Sequence, residues 1–137
     1  MTRSAVVDAG PLVAVLDRRD AAHDWAVARL KELTPPLLVC EPVLTEAAHL
    51  LSRYPGHTDA MLALLSSGAL KTAWAMDDDV EAVRTLMRKY ADQPMSLADA
   101  CVVRMAELFD DHAVFTLDSD FAVYRTSRNQ PIALLAP

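Results

Sequence analysis

The sequence predicts a three-layer α/β/α sandwich built on a mainly parallel sheet of about five strands. Three observations lead there. The strand candidates are short and wholly apolar, as in Leu37-Leu38-Val39-Cys40, the pattern of a parallel strand covered on both faces. Helical patterns separate these runs along the whole chain, and Pro or Gly punctuates the joints. The 137 residues, 53% hydrophobic with only 3 glycines, suit one helix-rich domain spanning 1–137 and exclude disorder or a repeat array.

Ser4 to Val7 opens the chain as a strand, and Asp8-Ala9-Gly10-Pro11 turns it into a helix through Leu16 with Pro11 at its first position. Ala21 to Leu33 carries apolar residues at helical spacing and is stopped by Pro35-Pro36. After the strand Leu37 to Cys40, a helix runs from Pro42 to about Ser52, closed by Tyr54-Pro55-Gly56. Thr58 is placed to cap the next helix, which ends at Gly68, and Ala69 to Trp74 is a third strand. Asp77-Asp78-Asp79 precedes a helix with Arg88 and Lys89 in its last turn, the charge order a helix dipole favours, so these acids read as helix-end chemistry. Ser96 caps a helix from Leu97 to about Phe109; Ala113 to Leu117 and Pro131 to Leu135 complete the strands.

The longest stretch without a formal charge, Ala60 to Leu70, is well short of the roughly 18 residues a membrane span needs. Asp8 interrupts the only apolar run near the N-terminus, so no signal peptide is read and a cytoplasmic location is expected. Cys40 and Cys101 form no CxxC pair and read as small buried hydrophobes. His23, His49, His57 and His112 have no metal-ligand spacing.

A net charge of -6 argues on its face against a nucleic-acid partner. That argument weakens if Asp8, Glu46, Asp99, Asp118 and Asp120 share one metal-neutralised site, because the remaining surface is then nearly balanced. In open parallel sheets, ligands bind outside the carboxyl ends of the strands, where strand order reverses. Asp8 follows the first strand and Asp118 the fourth; as central neighbours they would share one rim. Glu46 falls on the shoulder of its helix's apolar stripe, beside Val43 and Leu50, where it can look along the core's edge or reach into water. Asp99 completes a capping box with Ser96, yet the same position points a carboxylate out of a helix N-terminus toward the rim. Asp118 likewise can cap the turn that follows it, with Asp120 as the weaker partner.

Carboxylates clustered without a His or Cys set are ligands for hard cations, Mg²⁺ or Mn²⁺ rather than zinc. With such ions bound, they suit attack of water on a phosphodiester and require no nucleophilic side chain. Arg104, Arg125 and Arg128 are the basic residues nearest in sequence to the acids, and each reads first as solvated surface charge.

The order Asp8 in V-V-D-A-G-P-L, Glu46 in L-T-E-A-A-H-L-L, Asp99 in S-L-A-D-A and Asp118 in F-T-L-D-S-D-F resembles a PIN domain, particularly the small bacterial VapC-like toxins. The resemblance covers essentially the whole chain, including F-A-V-Y-R at Phe121 to Arg125. It implies a Mg²⁺- or Mn²⁺-dependent endoribonuclease whose catalytic carboxylates and metal ligands are Asp8, Glu46, Asp99 and Asp118, assisted by Asp120. It further implies an RNA substrate, a homodimer and a small antitoxin partner. Family members often carry a hydroxyl residue after the first Asp; Ala9 stands there instead, so any such contact falls to another group such as Thr116 or is absent.

The alternatives are a non-catalytic metal- or RNA-binding module of the same fold, or a nuclease of this family outside toxin-antitoxin systems. A haloacid dehalogenase phosphatase would need its D-x-D after the first strand, whereas D-S-D here follows a late one. A receiver domain would need a Lys after its last strand, and Lys31, Lys71 and Lys89 are not so placed.

Overall fold

The computed structural model describes residues 3–137. Five parallel strands form one sheet: β1 (Ala5–Val7), β2 (Leu37–Leu38), β3 (Leu70–Lys71), β4 (Ala113–Phe115) and β5 (Leu134–Leu135), in spatial order β3-β2-β1-β4-β5. Strand order reverses between the central strand β1 and its neighbour β4, which pair Ala5 with Ala113, Val6 with Val114 and Val7 with Phe115. All six of these residues are buried, as the uninterrupted apolar runs require of strands covered on both faces.

The helices are α1 (Ala9–Leu16), α2 (His23–Leu30), α3 (Glu41–Leu51), α4 (His57–Ser67), α5 (Val80–Lys89) and α6 (Leu97–Leu108). Helices α1 to α4 pack among themselves and α5 packs on α6, which lies against β1 and β4. This division follows from right-handed crossovers that step one way from β1 to β3 and the other way from β3 to β4. The three-layer sandwich with a parallel five-stranded sheet is therefore the observed architecture.

Several boundaries differ from the sequence reading, each for a local reason. Helix α1 begins at Ala9, so Pro11 occupies its third position, where the missing N–H has no intrahelical acceptor to lose. Gly10 lets that first turn approach the β4 side closely: a Cβ there would lie 3.3 Å from Leu117 Cβ. Thr58 is not the cap of α4; Gly56 is, at φ 90°, a left-handed conformation that a side chain would strain. Strand β3 stops at Lys71 rather than Trp74, because β2 is already turning into α3 at Glu41 and offers no further partner. Strand β4 stops at Phe115, where the Thr116 hydroxyl accepts the Asp118 N–H at 3.0 Å and turns the chain. Strand β5 is confined to Leu134–Leu135; Pro131, without an N–H, joins only an isolated bridge to Arg125. Helix α2 begins at His23 after the Asp20 carboxylate takes the Ala22 N–H at 2.9 Å in the preceding turn.

One hydrophobic core joins sheet and helices. Cys40 and Cys101 are free, buried thiols within it, as the sequence suggested.

Candidate active site

Register delivers the first two residues of the site. Val7 pairs with Phe115, so the next residue on each strand, Asp8 and Thr116, stand side by side at the carboxyl edge. The Asp8 N–H continues the ladder to the Phe115 carbonyl at 2.9 Å. Its carboxylate then has two tasks. Oδ1 accepts from the Ala9 N–H at 2.9 Å and caps α1, while Oδ2 accepts from the Thr116 hydroxyl at 2.8 Å. Thr116, wholly buried, spends its donor on Asp8 and its acceptor on the Asp118 N–H. Asp8 and Asp118 are thereby tied together through one hydroxyl.

Asp118 Oδ1 in turn accepts from the Asp120 N–H at 2.9 Å and caps the short 3₁₀ turn Ser119–Ala122. Phe121 of that turn is fully buried and anchors it to the core. From the opposite layer, Asp99 closes its capping box with Ser96: its Oδ2 accepts the Ser96 N–H at 3.1 Å, and its own N–H reaches Ser96 Oγ at 3.0 Å. The buried Tyr124 hydroxyl also donates to Asp99 Oδ2, at 3.4 Å. Asp99 is thus the helix cap and at the same time lies within the field of Asp118.

Those fields appear in the protonation energetics. Burial pushes the Asp8 carboxyl up to about 6 against the opposing bonds from Thr116 and Ala9, and the charges of Asp99 and Glu46 add to the rise. Asp99 is raised by burial, opposed by its bond to Ser96 and assisted by the charge of Asp118. Glu46, exposed on α3, is raised by desolvation and then by the charges of Asp99 and Asp118. Burial raises the Tyr124 phenol, and Asp99, Asp120 and Asp118 add to it. Asp8, Glu46, Asp99 and Asp118 thus form one electrostatic group, with Asp120 at its margin beside Tyr124.

The donor set fits a hard divalent cation: oxygen ligands only, negative, mutually repelling and partly desolvated. Among the described residues, no three His, Cys, Asp or Glu side chains are drawn together tightly enough to cage an ion as they stand.

Of the basic candidates, Arg104 and Arg125 have structural partners. Arg104 binds Asp79 through Nε at 2.6 Å, which holds the Asp79 carboxyl below its ordinary range. Asp79 is therefore only a backbone cap for α5; its carboxylate belongs to Arg104 and to the Trp74 indole. Arg125 Nη1 donates to the carbonyls of Ala122, Val123 and Tyr124 and clamps the segment behind the acidic turn. Sequence reasoning missed Tyr124 as a partner of Asp99; an aromatic hydroxyl four residues past Asp120 was the available signal. Trp74 was likewise read only as the end of a strand.

The fold and the site together define an α/β domain with an acidic rim at the switch point of a parallel sheet. The chain belongs to the PIN domain family, whose profile matches residues 5–126. It is 30% identical over 117 residues to Ribonuclease VapC26 of Mycobacterium tuberculosis, an alignment covering 82% of this chain and 85% of that protein. Its fold matches the crystal structure of Mycobacterium tuberculosis VapC20, described as a Sarcin-Ricin loop cleaving toxin, with a TM-score of 0.77 at 21% identity over 87% of this chain and 93% of that one.

Proposed function

We propose that the protein is a divalent-metal-dependent endoribonuclease, and that it is the toxin of a toxin-antitoxin pair acting in the cytoplasm as a homodimer on a single domain, 1–137. The observation that carries the reading is the Asp8–Thr116–Asp118 linkage at the β1/β4 switch point, with Asp99 and Glu46 adding their charge to Asp8. The ribonuclease relative at 30% identity supports the same class.

Asp8, Glu46, Asp99 and Asp118 would hold Mg²⁺ or Mn²⁺, with Asp120 as an outer partner. When bound, the cation supplies Lewis acidity toward a phosphodiester and acidifies water. The chain's own contribution is positional. Thr116 and the Ala9 N–H fix both oxygens of Asp8, so its carboxylate has no rotational freedom to lose. Ser96 and Tyr124 fix Asp99, and the 3₁₀ turn fixes Asp118. The Thr116 hydroxyl, spent on Asp8 and on the Asp118 N–H, acts as a positioning group rather than as a replacement for the hydroxyl that Ala9 lacks.

The purified protein, first cleared of any co-purified inhibitor, should cleave RNA with Mg²⁺ or Mn²⁺ and not in EDTA. Asp8→Asn should abolish cleavage while leaving the fold intact; equal cleavage by that variant would sink the assignment. A short reading frame immediately upstream, together with suppression of activity by its product, tests the antitoxin.

A further inference from the structure

A groove of about 930 Å³ opens beside the acidic rim, at the same carboxyl edge of the sheet. Trp74, Met76, Pro42 and Leu97 give it apolar walls, and it shares Glu46 and Ser96 with the candidate active site. Resting on the ribonuclease reading, we propose that this groove is a subsite for one nucleobase splayed out beside the scissile phosphate, and that it selects guanine.

Three features support a base. First, Trp74 is held from behind: its indole Nε1 donates to Asp79 Oδ2 at 3.2 Å, and Asp79 is gripped by Arg104 through Nε at 2.6 Å and Nη2 at 3.2 Å. Met76 is held similarly, its Sδ accepting from Cys101 Sγ at 3.8 Å. A ring fixed before binding loses little entropy on stacking, and aromatic stacking is the usual means of holding an unpaired RNA base. Second, the groove shares Glu46 and Ser96 with the rim, so a strand whose phosphate lay at the acids would have a base beside it. Third, every charged residue lining it is acidic, namely Glu41, Glu46, Asp77 and Asp78, with no Lys or Arg among the described lining residues. Such a groove repels phosphate, and its charged groups are acceptors only, beside the neutral hydroxyls of Thr45, Thr72 and Ser96.

That last feature selects the base. Guanine presents N1–H and N2–H₂ side by side, matching the two oxygens of one carboxylate. Adenine and cytosine set one amino donor beside a ring-nitrogen acceptor, which a carboxylate repels, and uracil places its single N–H between two carbonyls. Asp77 and Asp78, both exposed at the end of the segment that carries Trp74, are the acceptors for that edge.

The test is binding, independent of cleavage. In a Trp25→Phe chain, where Trp74 is the sole tryptophan, guanosine should quench the fluorescence saturably and uridine should not. A fluorescein-labelled uridine hexamer carrying one guanosine should bind more tightly than the all-uridine hexamer. Trp74→Ala should weaken that binding on the order of 10-fold, as expected for loss of one stack, with Trp74→Phe retaining most of it. Asp77→Asn with Asp78→Asn should erase the guanine preference while leaving the stack. Equal quenching by all four nucleosides, no quenching by any, an unchanged affinity in Trp74→Ala, or an unchanged preference in Asp77→Asn with Asp78→Asn would overturn the proposal. Quenching by a Lys/Arg-rich peptide without guanosine quenching would assign the groove to a protein partner instead. RNA cleavage without a guanine preference removes only this subsite; guanine binding without any cleavage removes only the ribonuclease reading.

Discussion

Asp8→Asn should make the metal-free protein more stable at neutral pH even as it removes activity. Asp8 is 6% exposed, and its folded-state pKa is raised from 3.8 to about 6. A raised carboxyl pKa means that the folded chain holds its proton more tightly than the unfolded chain. Stability contributed by the protonated form is fully present below pH 3.8 and is lost as pH rises through about 6. At about 1.4 kcal/mol per pKa unit, the shift from 3.8 to about 6 corresponds to about 3 kcal/mol lost at pH 7.5. Asn carries no charge and remains a good N-cap, but its single oxygen cannot serve both Thr116 and Ala9, which returns about 1 kcal/mol. Urea unfolding in EDTA should therefore find Asp8→Asn more stable by roughly 1–3 kcal/mol at pH 7.5. The advantage should vanish or reverse near pH 4. Added Mg²⁺ should then raise the midpoint of the parent chain and leave the variant unmoved. An Asp8→Asn chain destabilised equally at pH 4 and pH 7.5 would refute the reasoning, since Asp8 would then be an ordinary cap without charge strain.

Two further outcomes probe the scaffold. Thr116→Val removes a buried hydroxyl that serves both Asp8 and the Asp118 N–H; it should cost about 1–3 kcal/mol by chemical denaturation and weaken Mg²⁺-induced stabilisation. Phe121→Ala empties the anchor of the acidic 3₁₀ turn and should cost about 3–5 kcal/mol, read as a lowered urea midpoint.

The alternation of apolar runs with amphipathic helices already contained the layered α/β class, because strands buried on both faces leave no other pattern in a sequence. The capping box at Ser96 and Asp99 was equally legible, being a local motif whose partners lie three residues apart. Strand lengths were not, since β3 ends where β2 departs for α3, a fact about a neighbour rather than about Ala69 to Trp74. The candidate acids could be named from their places after strands and on helices, with a resemblance to order them. Their assembly required the β1/β4 pairing, which sets Asp8 against Thr116 across 108 residues of chain. Tertiary structure alone also turned Trp74 from the end of a strand into the wall of a groove, and Asp79 from a helix-end acid into its support. The division has one physical cause: periodicity, caps and turns are short-range and are written in adjacent residues, whereas the shared field of Asp8, Glu46, Asp99 and Asp118 exists only once four distant segments fold to one edge.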